Sequence, residues 1–290
     1  MNARDDRSKP LAPAAVITGA TQGIGRALAD EFAKTGHTLL LVARTEAALA
    51  KSASEVSAQF KVPVHYVACD LSTAEGCDRV AEALSEKGLY AESLVNNAAI
   101  MTAGFFQEQE PEELLNIVDL NARAAVDLTR RFLPDMIARG KGGVLNVASV
   151  EGFMPVPYQA TYAATKAFMI SFSRALAWEV FGTSVRVCVV TPGPIETTMH
   201  EKAGAEYSRY MVYLPRMTPE AMAAAAYRRF MRGNWVIIEG WINRIIANGV
   251  RFVPGIMLIP AVGWFFRVRD AEGNLQMPKP LAKPKPDSET

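Results

Sequence analysis

The sequence predicts an α/β fold, a doubly wound and mostly parallel sheet of about seven strands with helices on both faces. Short runs of branched apolar residues alternate along the chain with longer helical patterns. Within these runs apolar residues follow one another directly, which is typical of parallel strands buried on both faces. Polar and glycine-rich segments follow the runs, as expected where ligands bind beyond the carboxyl ends of the strands.

The elements follow in chain order. The apolar runs predict strands at 14–18, 37–43, 64–68, 92–98, 142–149 and 184–190, and "NWVIIEGW" predicts a last strand over 234–241. The intervening patterns predict helices at about 24–34, 45–59, 73–87, 111–139 and 158–181. Pro111 suits the first turn of the fourth helix. Thr218 is suited to cap a further helix over 218–233.

The chain is predicted to form one domain with a short extension at each end. Residues 1–12 are charged and lack the apolar core of a signal peptide, so we expect a flexible N-terminal arm. Residues 13–270 are predicted to form a single large α/β domain. Residues 271–290 are rich in proline and lysine, which is typical of a disordered tail.

The composition restricts the possible function classes. Half of the 290 residues are apolar and the formal net charge is +1, without the basic excess of a general nucleic-acid or anionic-membrane binder. The cysteines show no paired pattern, which favours free thiols in a reducing, cytoplasmic compartment. The histidines share no metal-ligand spacing, so no metal site is predicted. These residues are Cys69, Cys77 and Cys188, and His37, His65 and His200.

A glycine-rich loop, "TGATQGIG", lies between the first predicted strand and the first helix. Glycine tolerates positive φ and lets backbone N–H groups approach a ligand, and the following helix offers its positive N-terminus to a pyrophosphate. The spacing is GxxxGxG, with Leu28 where the common dinucleotide fingerprint has a third glycine. A glycine turn without a ligand is the alternative. The predicted contacts are Gly19, Thr21, Gln22, Gly23, Ile24 and Gly25.

The ends of the second and third strands bear on the choice of cofactor. An NAD-binding fold usually carries an acidic residue after the second strand, where this chain has Arg44. A guanidinium binds a 2′-phosphate with two hydrogen bonds, so we predict NADP(H), with an exposed strand-end arginine as the alternative. Asp70 is predicted to hydrogen-bond the adenine amino group, and Leu71 is predicted to contact the cofactor. An N-cap role for Asp70 is nearly as well supported.

Tyr162 and Lys166 are four residues apart and share one face of the predicted helix. With the ammonium about 4 Å from the phenol, the Coulomb energy is about 4 kcal/mol and lowers the tyrosine pKa from ~10 towards ~7. Such a phenol is a competent general acid or base. Tyr158, two turns from Lys166, is expected at the lip of the substrate site. The Tyr162–Lys166 spacing alone is common on helix surfaces.

Two further polar residues support a site. Ser149 ends the fifth strand at the same sheet edge, where its hydroxyl can hold a substrate oxygen near the phenol. Asn121 lies in the long helical region and is a polar residue among neighbours that can pack in the core. It is either a buried, satisfied amide or the anchor of a water molecule that leads to Lys166.

In these motifs the chain resembles the single-domain branch of the short-chain dehydrogenase/reductase family. The matching motifs are TGxxxGxG as "TGATQGIG", the NNAG-type motif as "NNAA", YxxxK as "YAATK" and PGxxxT as "PGPIET". With Asn121 and Ser149 they occur in the family's order over about residues 14–200. One departure is Ala99, where the family often has glycine.

The resemblance implies a Rossmann fold and reversible hydride transfer between NADP(H) and a carbonyl/alcohol pair. It implies that Tyr162 exchanges the proton, Ser149 orients the substrate, Lys166 also binds the nicotinamide ribose, and Asn121 holds the relay water. It also implies a homodimer or homotetramer. The further cofactor contacts that it implies are Asn97, Ala98, Pro192, Gly193, Ile195 and Thr197.

The C-terminal third bears on the substrate. Residues of about 194–217 are rich in methionine and tyrosine, which predicts an adaptable substrate lid, with a surface loop as the alternative. The segment 252–266 is uncharged, flanked by arginines and too short for a confident membrane span. It either covers the substrate pocket or a subunit interface, or contacts a membrane peripherally. Both interpretations favour a lipophilic 3-ketoacyl, steroid-like or aromatic ketone.

Two other function classes compete with an oxidoreductase. A non-catalytic NADP(H)-binding sensor uses the same fold, but such proteins usually lose the tyrosine or lysine that this chain keeps. An epimerase or dehydratase of the longer branch is expected to carry a GxxGxxG loop and a larger C-terminal domain. The sequence favours the oxidoreductase.

Overall fold

The computed structural model describes residues 11–278. Most of the predicted arm, residues 1–10, and the end of the predicted tail, residues 279–290, lie outside the described residues. Ala12, assigned to the arm from the sequence, already belongs to the first strand, because its backbone pairs with Leu89.

A seven-stranded parallel sheet forms the centre of the protein and confirms the predicted fold class. Its spatial order is β3-β2-β1-β4-β5-β6-β7, so the order in which the chain adds strands reverses between β1 and β4. Ligand sites in such sheets lie at this switch point, beyond the carboxyl ends of the strands. The strands are β1 (Ala12–Thr18), β2 (Thr38–Ala43), β3 (Val64–Ala68), β4 (Leu89–Asn96), β5 (Gly142–Val147), β6 (Val185–Val190) and β7 (Val236–Ile237).

Eleven α-helices lie within residues 11–278. The crossover connections place helices on both faces of the sheet, as right-handed βαβ units do. The helices are α1 (Gly23–Lys34), α2 (Glu46–Phe60), α3 (Ala74–Glu86), α4 (Pro111–Val118), α5 (Ala124–Arg139), α6 (Ala160–Glu179), α7 (Met199–Lys202), α8 (Arg209–Tyr213), α9 (Pro219–Met231), α10 (Trp241–Gly249) and α11 (Gly255–Phe266).

Each face of the sheet has its own apolar core. Successive strand residues point to opposite faces: Ile17 and Leu41 pack in the core under α1, α2 and α9, whereas Val16 and Leu40 pack under α3 and α5. All four side chains are fully buried. This two-sided burial explains why the strands read as continuous apolar runs.

Two regions differ from the sequence prediction. The helical region predicted over 111–139 is interrupted by a π-helical turn at Asp119–Arg123. The predicted strand over 234–241 shrinks to two residues, because β7 is an edge strand that pairs only with the end of β6 and the chain turns at Gly240, whose φ is +84°.

The predicted lid and the C-terminal helices cover the carboxyl edge of the sheet. Within the predicted lid, α7 and α8 are short helices joined by loops. The ring of Phe266 on α11 stacks on Tyr210 of α8, with centroids 4.3 Å apart. Both rings belong to a buried cluster that includes Val150 and Ala163, the neighbours of Ser149 and Tyr162. One face of α11 therefore packs over the lid.

Candidate active site

A cavity of about 190 Å³ lies at the carboxyl edge of the sheet. It joins the glycine loop, the ends of β4, β5 and β6, and helix α6. The sequence-predicted residues that line it are Gly19, Thr21, Gln22, Gly23, Ile24, Asn97, Ala98, Ser149, Tyr162, Lys166, Pro192, Gly193, Ile195 and Thr197. Most of the predicted site therefore surrounds one cavity.

The glycine loop is held against the end of β4 by tight packing. A Cβ on Gly25 would lie 2.2 Å from the carbonyl oxygen of Gly19 and 2.3 Å from Nδ2 of Asn97. Gly19 and Gly23 have φ values of +65° and +57°, which favour glycine. Asn97 Nδ2 donates to the carbonyl oxygen of Thr18 at 2.9 Å. Gly25 lies outside the cavity lining, so its close packing is structural.

The Thr18 hydroxyl fixes the strand ends beside this loop. Its Oγ1 accepts hydrogen bonds from the backbone N–H groups of Asn97 and Ala98, each at 2.9 Å, and donates to the carbonyl oxygen of Val95 at 3.1 Å. Because helix α1 begins at Gly23, its free N–H groups point toward the cavity end of the loop. This arrangement suits an anionic pyrophosphate.

Ser149 follows β5 and begins a short 3₁₀ helix at Val150–Phe153. Its Oγ accepts a hydrogen bond from the backbone N–H of Glu151 at 3.2 Å. The Tyr162 phenol also forms a hydrogen bond with the Ser149 side chain. The serine hydroxyl and the phenol are therefore neighbours, as the sequence predicted.

Tyr162 and Lys166 lie one turn apart on α6, and both side chains are less than a tenth exposed. The Lys166 Nζ is 5.4 Å from the centre of the Tyr162 ring and donates to the carbonyl oxygen of Val147 at 3.0 Å. The ammonium is thus tied to the end of β5 beside the phenol.

The expected lowering of the tyrosine pKa is wrong in this structure. Burial raises the pKa of Tyr162 well above its ordinary value, the Glu151 carboxyl adds to the rise, and the hydrogen bond with Ser149 offsets only part of it. Burial also lowers the pKa of Lys166 to about 8, although Glu151 opposes this. The loss of hydration, which the sequence does not show, sets the direction of both shifts.

Asn121 lies in the π-helical turn, a feature frequent at functional sites. Its side chain accepts from the N–H of Ile100 and donates to the carbonyl oxygen of Ile100, both at 2.9 Å. It also donates to Thr165 Oγ1 at 3.3 Å. The amide is therefore buried and satisfied, while a small second cavity is lined by both Asn121 and Lys166. Its water-anchoring role stays a prediction.

Arg44, Asp70 and Leu71 lie outside the main cavity. Partial burial opposes a low Asp70 pKa, but hydrogen bonds from Ser72 and the charge of Arg44 lower it on balance. The N-cap interpretation of Asp70 is wrong, because Thr73 caps α3 by accepting from Gly76 N at 3.1 Å. The predicted cofactor contacts of Arg44, Asp70 and Leu71 stay predictions.

Tyr158 also lies outside the main cavity. Its backbone has φ +71°, which is rare for a residue other than glycine. Its ring packs edge-on against Phe105, with centroids 5.3 Å apart. Its expected position at the lip of the substrate site and its predicted substrate contact stay predictions.

Two cavity residues with ionisable side chains were missed in the sequence. Burial raises the pKa of Glu151 to about 8, although Lys166 opposes the rise. Burial, and secondarily Arg216, lower the pKa of His200 to about 4. A lone acid inside the apolar stretch "NVASVEGF" is the signal that points to Glu151. The other missed lining residues are Ala99, Val147, Ala148 and Met199.

Known proteins with this architecture share its sequence pattern. The short chain dehydrogenase family matches residues 13–208. Very-long-chain 3-oxoacyl-CoA reductase from Bos taurus is 35% identical over 195 residues, which are 64% of this chain. The chain covers 60%, 52% and 63% of the lengths of the reductases of that name from Bos taurus, Laccaria bicolor and Danio rerio.

Two solved structures extend the comparison. A short-chain dehydrogenase from Sphingobium yanoikuyae in complex with NADPH is 30% identical, has a TM-score of 0.73, and covers 85% of this chain and 95% of its own. The bulky-bulky ketone specific alcohol dehydrogenase from Comamonas testosteroni is 28% identical, has a TM-score of 0.69, and covers 86% of this chain and 95% of its own.

The fold is of the Rossmann type, and its cavity joins the glycine loop to Ser149, Tyr162 and Lys166. The chain belongs to the short-chain dehydrogenase family, which confirms the resemblance noted in its motifs.

Proposed function

We propose that this protein is an NADP(H)-dependent oxidoreductase that interconverts a carbonyl group and a secondary alcohol. The observation that carries the proposal is the convergence of Ser149, Tyr162 and Lys166 on the cavity that the glycine loop also lines. The NADPH bound in the Sphingobium yanoikuyae relative supports the choice of cofactor. We expect a homodimer or homotetramer in the cytoplasm.

The residues present fit a dinucleotide. The glycine loop lines the cavity and presents the N-terminus of α1, which suits the pyrophosphate. Arg44 would hold the 2′-phosphate, and Lys166 would hold the nicotinamide ribose. When bound, the nicotinamide supplies or accepts the hydride.

The chain's own groups would handle the substrate oxygen and its proton. Ser149 would donate a hydrogen bond to the carbonyl oxygen, and Tyr162 would transfer its proton to that oxygen as the alcohol forms. Because burial raises the pKa of Tyr162, the phenol is protonated at neutral pH, as a proton donor must be. Lys166 would stabilise the negative charge that develops on the phenol.

We propose a lipophilic substrate, a 3-ketoacyl, steroid-like or aromatic ketone. The apolar cluster of lid and helix α11 beside the site supports this, with Val150, Tyr210 and Phe266 buried together. The names of the bovine 3-oxoacyl-CoA reductase and the Comamonas ketone-specific enzyme support the same class. A non-catalytic NADP(H) sensor is the second candidate.

Replacing the proposed proton donor tests the activity. In Tyr162→Phe we expect kcat/KM for NADPH-dependent reduction of a panel of lipophilic ketones to fall by about 10²–10⁴, because the acid is removed. NADPH binding, followed by fluorescence, should persist. Tyr66→Phe, at an exposed tyrosine of β3, is the matched control and should keep most activity. Activity retained in Tyr162→Phe contradicts the mechanism. If the wild type binds NADPH but reduces no ketone of the panel, the result favours the non-catalytic sensor.

Reversing the charge at the end of β2 tests the cofactor preference. In Arg44→Asp we expect the ratio of kcat/KM for NADPH over NADH to fall by about 100-fold, because a carboxylate repels the 2′-phosphate. The exposed Arg130→Asp changes the net charge equally and should leave the ratio unaltered. An unchanged ratio in Arg44→Asp would refute the assignment.

We also propose that an arginine-flanked apolar surface contacts an anionic membrane. Among residues 11–278 no helix is long and apolar enough to cross a bilayer. However, the outer face of the C-terminal helices leaves large apolar side chains in solvent. Ile256 is 86% exposed, Phe252 81% and Trp241 71%, and Ile245 and Met257 are also exposed. We call these five residues the apolar surface.

The charges around the apolar surface favour a lipid partner. Although the whole chain is nearly neutral, residues 240–269 contain four arginines and no acidic residue. Basic side chains beside exposed aromatic and aliphatic groups are typical of helices that lie in the interface of an anionic membrane. The inner face of α11 packs on the lid. The segment 252–266 therefore covers the site with one face and exposes part of the apolar surface with the other.

Vesicle flotation tests the membrane contact. We expect the wild type to float with phosphatidylcholine vesicles that contain phosphatidylglycerol. The double variant Ile256→Asp/Met257→Asp should bind these vesicles at least about 10-fold more weakly, because the inserted side chains become charged. Tyr66→Asp, at the opposite sheet edge, should float like the wild type. Failure of the wild type to float contradicts the proposal. If the double variant forms a smaller oligomer than the wild type in the absence of vesicles, the apolar surface binds a second copy of the chain instead of a membrane.

A further inference from the structure

A surface groove of about 300 Å³ is lined by four arginines. They come from four separate elements: Arg174 from α6, Arg229 from α9, Arg244 from α10, and Arg251 from the short 3₁₀ turn that follows α10. Among the described residues, none lines both this groove and the active-site cavity. We call it the arginine groove, and the proposed reaction does not use it.

The arginine groove concentrates positive charge on a chain that is almost neutral. The whole chain has 31 basic and 30 acidic side chains, yet no acidic residue within 11–278 lines the groove. One carboxylate reaches the cluster, since Glu239 Oε1 lies 2.7 Å from Arg229 Nε. The other three arginines form no ion pair with a described residue. Like charges in one cleft repel each other, and an anion bound between them removes this repulsion.

Contacts at the end of β7 fix two of the guanidinium groups. Arg244 Nε donates to the carbonyl oxygen of Ile238 at 3.0 Å, and Arg229 pairs with the next residue, Glu239. Both contacts use the Nε atom, so within residues 11–278 the Nη groups of these two arginines have no protein partner. Guanidinium groups held in this way present their free N–H groups in a fixed orientation, which suits the oxygens of an anion.

Arg174 and an apolar floor complete the arginine groove. The guanidinium group of Arg174 has no hydrogen bond or ion pair in the part of the chain that the structure describes, so it is available to a ligand. The half-buried side chains of Phe153, Val236 and Ile238 also line the groove. Apolar walls lower the local dielectric and so strengthen the attraction between the arginines and an anion.

We propose that the arginine groove binds a phosphate group, carried by an anionic lipid or by a soluble phosphate compound. A phosphate monoester holds close to two negative charges and three acceptor oxygens on one centre, so a single group can contact several guanidinium groups at once. A carboxylate holds one charge and two oxygens and satisfies fewer of them. The inference goes beyond the proposed oxidoreductase activity and does not depend on it.

The position of the arginine groove favours the lipid as the source of the phosphate. Arg244 directly precedes Ile245 of the apolar surface, and Arg251 directly precedes Phe252. A headgroup phosphate bound in the groove would therefore lie beside side chains that are proposed to enter the membrane. The groove does not require that membrane contact, because a soluble phosphate would use the same guanidinium groups.

Calorimetric titration with two soluble anions of similar charge tests the site. The probes are inorganic phosphate and succinate, added to protein saturated with NADPH so that the proposed cofactor site is filled. We expect the wild type to bind phosphate at least about 3-fold more tightly than succinate. In Arg174→Glu the dissociation constant for phosphate should rise at least about 10-fold, because an attractive charge becomes a repulsive one. The exposed Arg130→Glu changes the net charge equally and should bind phosphate like the wild type.

Vesicle flotation distinguishes the two sources. Phosphatidylcholine vesicles that contain phosphatidic acid present the lipid phosphate. With a lipid source, Arg174→Glu should bind these vesicles at least about 10-fold more weakly than Arg130→Glu. Equal vesicle binding of the two variants, with the affinity for inorganic phosphate lowered only in Arg174→Glu, assigns a soluble source. In Ile256→Asp/Met257→Asp the groove is intact, so phosphate binding should persist even where vesicle binding is lost.

The outcomes separate this inference from the proposed function. Wild-type protein that binds neither inorganic phosphate nor the vesicles overturns the inference, as does equal binding by Arg174→Glu and Arg130→Glu in both measurements. Succinate bound as tightly as phosphate also overturns it. NADPH binding by Arg174→Glu verifies that the variant is folded. A wild type that binds phosphate but reduces no ketone contradicts the proposed function alone.

Discussion

The exclusion of water from the end of β5 is the constraint on which the candidate site depends. Ser149, Glu151, Tyr162 and Lys166 are each less than a tenth exposed, and they meet around one cavity. In this environment burial raises the pKa values of the acid and the phenol and lowers that of the amine. The same low dielectric makes any new charge interact strongly with its neighbours.

The fold supplies this exclusion from several directions. The parallel sheet brings the ends of its strands to one edge, and the α6 helix lays Tyr162 and Lys166 across the end of β5. The lid and α11 close the outer side through the apolar cluster that contains Tyr210 and Phe266. The glycine loop remains on the other side of the cavity, where the dinucleotide would enter. The buried Ser149, Tyr162 and Lys166 suit the proposed proton transfer, and the backbone N–H groups of the glycine loop suit the binding of the pyrophosphate.

Much of this arrangement is predictable from local sequence. Apolar runs identify the strands, the glycine spacing identifies the loop, and the four-residue separation of Tyr162 and Lys166 places them on one helix face. These features depend on short-range geometry, which periodicity reveals. The bounds of the six longer strands agree with the prediction to within about three residues, whereas β7 depends on edge pairing and was overestimated.

The rest depends on contacts between distant segments. The Tyr162 pKa was expected to fall because the sequence shows the lysine but not the burial, and burial prevails. Glu151 and His200 belong to no motif used in the prediction, and only packing brings them to the cavity. The hydrogen bonds of Asn121, in the π-helical turn, likewise join it to Ile100, twenty-one residues away in the chain.

The pH dependence of stability tests the burial of this cluster most directly. The folded protein keeps the Glu151 proton up to about pH 8, whereas the unfolded chain releases it near the ordinary value of 4.5. The contribution of Glu151 to the free energy of unfolding of the wild type therefore falls as pH rises between those values. Relative to the wild type, Glu151→Gln should gain about 2–4 kcal/mol in the free energy of unfolding between pH 5 and pH 8. The exposed Glu179→Gln is the control, and a difference for Glu151→Gln that stays constant with pH would contradict the account.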